Sequence, residues 1–142
     1  MDISHGKYLG VDYGDKRTGL AECDISGMLA SGICTISEGG MRNTAVRVAK
    51  EAESRGCKKI VVGLPKNMDG TEGPRAELCR AFAEQVREAT GLEVTLWDER
   101  RTTVEAHNIL SQHNYHGKKR KNTVDAVAAS LILEGYLAFR KR

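Results

Sequence analysis

Gly10-Val11-Asp12-Tyr13-Gly14-Asp15-Lys16-Arg17-Thr18-Gly19-Leu20-Ala21 reads as two short strands folded back on one turn. Tyr8 to Tyr13 is an apolar run that reaches Asp12, Thr18 to Cys23 is a second, and Gly14 to Arg17 supplies the turn chemistry between them. The hairpin leaves a carboxylate at the end of its first strand. Met28 to Ile36 predicts a third strand after the turn at Ser26-Gly27, and a helix from about Arg42 to Arg55 stops at Gly56. Lys59-Ile60-Val61-Val62-Gly63-Leu64 has the continuous apolar character of a buried central strand, parallel to its neighbour. Pro74 suits the first position of the next helix, which carries Leu78, Phe82 and Val86 on one face and ends at Gly91 before a strand from Glu93 to Asp98. Thr102-Thr103-Val104-Glu105 fits a capping box opening a helix to about Gln112. A loop, His113 to Lys121, precedes a final helix from about Asn122, with Val124, Val127, Ala128, Leu131, Gly135 and Ala138 as its apolar stripe. Three antiparallel strands followed by alternating helices and parallel strands predict an α/β mixed sheet with helices on both faces.

At 142 residues the chain suits one compact domain, and 40% hydrophobic against 29% charged residues excludes disordered, fibrous and membrane compositions. The net charge of +3 is uneven. From Tyr115 onward seven Lys/Arg face only Asp125 and Glu134, so the basic charge gathers at the C-terminal end. Cys23, Cys34, Cys57 and Cys79 form no C-x-x-C pair, which argues against a zinc knuckle or disulfide scaffold and for buried free thiols. The N-terminus has no basic segment followed by an apolar stretch, no run reaches membrane-spanning length, and a cytoplasmic protein is expected.

Acidic residues end two predicted inner strands, Asp12 and Asp98/Glu99, and Asp125 opens the last helix. Carboxylates converging from separate rigid elements suit hard divalent ions, Mg²⁺ or Mn²⁺, and phosphodiester hydrolysis needs the activated water and charge neutralisation that such ions supply. Asp12 alternatively caps its own turn. Asp125, with Asn122 as N-cap, alternatively meets the helix dipole. Asp98 and Glu99 cannot both face one way along a strand. Around them, Lys16 and Arg17 in the turn, Asn67 in the loop Pro65 to Gly73, Arg100 and Arg101, and the run Lys118-Lys119-Arg120-Lys121 are candidate contacts to a nucleic-acid backbone. That loop lacks P-loop spacing. His113 and His116 have no acidic or Cys partner at zinc spacing, and Trp97 reads as core.

Four segments, Gly10 to Ala21, Val62 to Gly73, Asp98-Glu99-Arg100-Arg101-Thr102-Thr103 and Val124-Asp125-Ala126-Val127-Ala128-Ala129, resemble in this order the signature segments of the YqgF/RuvX family. The resemblance spans essentially the whole chain. It implies a ribonuclease H-like fold related to RuvC-type Holliday junction resolvases, one nuclease domain over residues 1–142, and maturation of the 5′ end of precursor 16S ribosomal RNA. It matches Asp12, Glu99 and Asp125 to the metal-holding catalytic carboxylates, favouring Glu99 over Asp98. The related resolvases carry a further acidic residue a turn before the last, where this chain has Asn122. The expected partner is nucleic acid, precursor rRNA or branched DNA, bound by a monomer or homodimer with no membrane involved. The alternatives are a Holliday junction resolvase, which needs two sites in a dimer, and a non-catalytic ribosome-assembly factor. A sugar-kinase or actin-type ATPase shares the Asp-x-Gly turn but closes two such domains around its nucleotide.

Overall fold

The computed structural model describes residues 6–23, 30–99 and 117–140. In chain order these form β1 (Lys7–Asp12), β2 (Thr18–Cys23), β3 (Ala30–Ile36), α1 (Gly40–Arg55), β4 (Cys57–Leu64), α2 (Pro74–Thr90), β5 (Glu93–Asp98) and α3 (Gly117–Arg140). The strands lie in the order β3-β2-β1-β4-β5, with β2 antiparallel to both β1 and β3, β4 parallel to β1, and β5 parallel to β4. This is the mixed sheet expected from the hairpin and the run of buried aliphatics at Ile60 to Leu64.

Strand alternation sorts the core into two layers. Leu9 and Val11 of β1, Leu20 of β2 and Ile60, Val62 and Leu64 of β4 pack under Val48 and Ala52 of α1 and Phe82 and Val86 of α2. Tyr8, Val61 and Trp97 point the other way, against Ile132, Leu133, Tyr136 and Leu137 of α3. Asp12 shares the parity of Tyr8 and therefore belongs to the α3 face. Phe82 is fully buried and stacks on Tyr13, with centroids 4.2 Å apart and planes 14° from parallel. Tyr13 follows Asp12 directly, so one ring pair ties the core to that carboxylate's turn. Replacing Phe82 by Ala is expected to cost about 4 kcal/mol, read as a lower urea midpoint with an unchanged slope.

Both helix stops expected at glycine are seen: α1 ends at Gly56 and α2 at Gly91, each in the left-handed region. Two expectations need correction. The last helix starts at Gly117, not near Asn122, so the backbone of Lys118 to Lys121 is helical rather than loop. Lys and Arg are good helix formers, and a charged run without Pro need not interrupt a helix. Asp125 consequently lies eight residues inside α3, beyond the first turn, and Asn122 does not cap. The buried stripe is also rotated. Leu131 is buried as expected, but it is joined by Ala129, Ile132, Leu133, Tyr136 and Leu137, whereas Val127, Ala128 and Gly135 are half-buried and Ala138 is exposed. The larger side chains win the sheet-facing position because they remove more apolar area from water. The helix expected from Thr102 to Gln112, the loop His113 to His116 and the start of the third strand at Met28 lie outside the described residues.

Candidate active site

Asp12 ends β1 at the position opposite Gly19 of β2. A β-carbon on Gly19 would collide with the carbonyl oxygen of Asp125, so the α3 backbone rests directly on that glycine. Gly10 works in the same way one pleat back, where a β-carbon would come within 2.8 Å of the Ala129 carbonyl. These two glycines lower α3 onto the hairpin and bring Asp125 beside Asp12. On the other flank β4 runs parallel to β1 with Val62 beside Val11, which sets Gly63 next to Asp12. The space a Gly63 side chain would fill holds the Glu99 carboxyl carbon, 2.8 Å from the position of that β-carbon. Glu99 has the parity of Trp97, the α3-facing residue of β5. The structure thus brings Glu99 and Asp125 to opposite flanks of Asp12, through two glycines in neighbouring strands.

Electrostatics record the crowding. The Asp12 carboxyl is pushed up to about 6, first by burial and then by the Asp125 charge, against the pull of Arg75. Glu99 is pushed up to about 8, first by burial and then by Asp12, with Arg75 again opposing and Asp98 adding to the rise. Cys79 feels both carboxylates, and burial above all drives its thiol up to about 12, so it stays protonated and is no nucleophile.

Two arginines answer the negative charge. Arg17 donates from Nε to Oδ2 of Asp125 at 2.8 Å. Arg75, in the first turn of α2, donates to Asp15 Oδ1 at 2.9 Å and to the Tyr13 carbonyl, and its guanidinium lies 5.4 Å from the Tyr13 ring centre. Arg75 was not among the residues singled out from sequence. The available signal was its place: a cation in a helix's first turn opposes the dipole and needs a compensating anion, here Asp12, Asp15 and Glu99.

The other expected residues are placed less uniformly. The Lys16 carbonyl accepts from Ser37 Oγ at 2.9 Å, which fixes the turn that carries Lys16 and Arg17. Asn67 is turned into its own loop, donating from Nδ2 to Thr71 Oγ1 at 2.9 Å and from its backbone to the Thr71 carbonyl at 2.8 Å. Arg100 and Arg101 and the side chains of Lys118, Lys119, Arg120 and Lys121 lie outside the described residues. A cavity of about 720 Å³ lined by Arg42, Lys50, Glu53, Cys57 and Leu92 sits at the start of β4, the strand end away from Asp12.

Among the described residues no three His, Cys, Asp or Glu side chains are already drawn together as a metal cluster. The donor chemistry nevertheless fits a hard divalent ion: three carboxylates at the ends of β1 and β5 and on α3, two of them disfavoured as anions, first by burial and then by a neighbouring carboxylate, Asp125 for Asp12 and Asp12 for Glu99.

Residues 6–139 match the family model described as RuvX, Holliday junction resolvase. The chain belongs to the RuvX family. A Carboxydothermus hydrogenoformans relative named "Putative pre-16S rRNA nuclease" is 39% identical over 136 residues, covering 96% of this chain and 99% of that protein. A Bacillus cytotoxicus relative of the same name is 46% identical over 133 residues, covering 92% and 97%. Among solved structures, Thermus thermophilus RuvC in complex with a Holliday junction substrate superposes with a TM-score of 0.61 at 12% identity, covering 96% of each chain. The fowlpox virus resolvase bound to Holliday junction DNA gives 0.58 at 12% identity, covering 96% of this chain and 99% of that one. At such identities the likeness speaks for the fold alone, and the RuvX chain has the ribonuclease H-like fold of the RuvC resolvases.

Proposed function

We propose that this RuvX-family chain is one metal-dependent endonuclease domain that cuts precursor 16S rRNA during maturation of its 5′ end, in the cytoplasm. The observation that carries the reading is the placement of Glu99 and Asp125 on the two flanks of Asp12, through Gly63 and Gly19. Asp12, Glu99 and Asp125 would hold Mg²⁺ or Mn²⁺. When bound, such ions supply an activated water and offset the charge that develops on phosphate and leaving oxygen. The chain's own residues do the rest. The sheet and α3 hold the three carboxylates on rigid supports, which limits the reorganisation needed on substrate binding. Lys16, Arg17, Arg100, Arg101 and the Lys118 to Lys121 run supply cations for the strand, and Asn67 shapes the loop beyond β4. The names carried by the relatives at 39% and 46% identity support the RNA as substrate.

A second reading, resolution of four-way DNA junctions, is favoured by the family description and by the shared RuvC fold. One assay separates the two. The chain is incubated in Mg²⁺ or Mn²⁺ with a precursor 16S rRNA fragment and, separately, with a four-way DNA junction, each beside an EDTA control. Metal-dependent cutting of the RNA is expected. Cutting of the junction with the RNA intact would favour the second reading, and cutting of neither would make the chain a non-catalytic assembly factor. Binding of the RNA should weaken with salt, by a slope of about 0.7 per phosphate contacted.

A further inference from the structure

Arg17 occupies a carboxylate that the reading above assigns to a divalent cation. Its Nε lies 2.8 Å from Asp125 Oδ2, and the two side chains are 40% and 19% exposed. A guanidinium and a dication cannot share that oxygen: the metal–oxygen distance is about 2.1 Å for Mg²⁺, and the two positive groups repel.

The surroundings determine which partner gives way. The turn backbone is tied down by Ser37 Oγ on the Lys16 carbonyl at 2.9 Å, by the Gly14 N–H on Thr18 Oγ1 at 3.4 Å, and by Arg75 on the Tyr13 carbonyl. The α3 backbone is tied down at Gly19. Only side chains are left to move, and the Arg17 guanidinium has water to move into. Arg75, though 37% exposed, is held by more contacts, Nη1 on Asp15, Nη2 on the Tyr13 carbonyl and its guanidinium 5.4 Å from the Tyr13 ring centre, whereas Arg17 is held by Asp125. The two arginines therefore divide the labour, Arg75 as a fixed charge and Arg17 as a movable one.

We propose that Arg17 is a displaceable stand-in for the cation: it holds Asp125 in the metal-free chain, leaves it on loading with a divalent ion, and then binds the phosphodiester beside the site. A partly exposed ion pair is weak, so the exchange opposes metal binding only modestly, and a released guanidinium has the fork geometry that pairs with a phosphate. The inference rests on the metal-dependent reading.

The test measures metal affinity apart from turnover. By calorimetry, Arg17→Gln is expected to bind Mn²⁺ about fivefold more tightly than the wild type, a change the size of one weak ion pair. Lys16→Gln removes the same charge one residue away and should change affinity by less than about twofold once salt screens it. By NMR, the Arg17 Nε–Hε resonance of the wild type should move on Mg²⁺ saturation to the position it has in metal-free Asp125→Asn. At saturating Mn²⁺, single-turnover RNA cutting by Arg17→Gln should be about 100-fold slower despite its tighter metal binding. Unchanged or weaker Mn²⁺ binding by Arg17→Gln, an equal gain in Lys16→Gln, or an Nε–Hε signal indifferent to Mg²⁺ would each overturn the stand-in role while leaving the metal-dependent reading intact. A wild type that binds no Mn²⁺ at all would overturn that reading, and this one with it.

Discussion

Asp12→Asn is expected to abolish metal-dependent cutting, by about 1,000-fold or more, and at the same time to make the metal-free chain more stable at neutral pH. The two effects share one cause. Burial is the main penalty on the Asp12 charge, and Asp12 is also the carboxylate common to both crowded pairs, raised by Asp125 and in turn raising Glu99. A carboxyl whose folded value is raised binds its proton more tightly in the folded than in the unfolded chain. Stability contributed by the protonated form is therefore present at low pH and is lost as pH rises, from about 4, the ordinary carboxylate value, up to about 6 for Asp12 and about 8 for Glu99. The neutral amide removes one charge and relieves Glu99 as well. At pH 7.5 and without metal, Asp12→Asn should melt roughly 5 °C above the wild type, corresponding to about 2 kcal/mol. The difference should close towards pH 4, and Mn²⁺ should raise the melting temperature of the wild type but not of the variant. A variant that melts at or below the wild type at pH 7.5 would remove the claim that the three carboxylates strain one another.

The hairpin, the helix stops and the Pro74 start were legible because each rests on local chemistry: Gly14 in a turn, Gly56 and Gly91 after helices, Pro74 at a first helical position. Asp12 was legible as a residue at a strand end. Glu99 is separated from Asp98 in the sequence only by the family resemblance, and in the structure its carboxyl carbon lies in the space over Gly63. The start of α3 was misread because a Lys-rich segment after His and Gly has the composition of a loop, although its residues favour a helix. The helix stripe was ambiguous because Leu131, Ile132 and Leu133 put apolar residues on several sides at once, so period alone does not choose the buried face. Arg75 escaped notice for a related reason: nothing near it in sequence reveals that Asp12, Asp15 and Glu99 converge on it. The strand glycines are the deepest case. In a sequence Gly10, Gly19 and Gly63 read as weak points of strands, and only the partner element shows that each is a seat.

Gly19→Ala tests that idea with a single methyl group. The new β-carbon would meet the Asp125 carbonyl and carbon and the Ala126 nitrogen, all backbone atoms of a helix that is itself packed on the sheet through Ile132, Leu133 and Tyr136. Neither side can yield by a rotamer change, so α3 must lift from the hairpin, at an expected cost of about 3 kcal/mol. Gly39→Ala is the matching control, since nothing lies within 4 Å of its added carbon and its φ of −79° suits alanine; it should cost less than about 1 kcal/mol. Urea denaturation of the three proteins measures the difference. The functional consequence is sharper than the stability loss. Lifting α3 carries Asp125 away from Asp12, so Gly19→Ala that remains folded should lose cutting and lose the Mn²⁺-induced rise in melting temperature together. A folded Gly19→Ala chain with full cutting would show that Asp125 does not need its seat on the hairpin, and would detach the third carboxylate from the site.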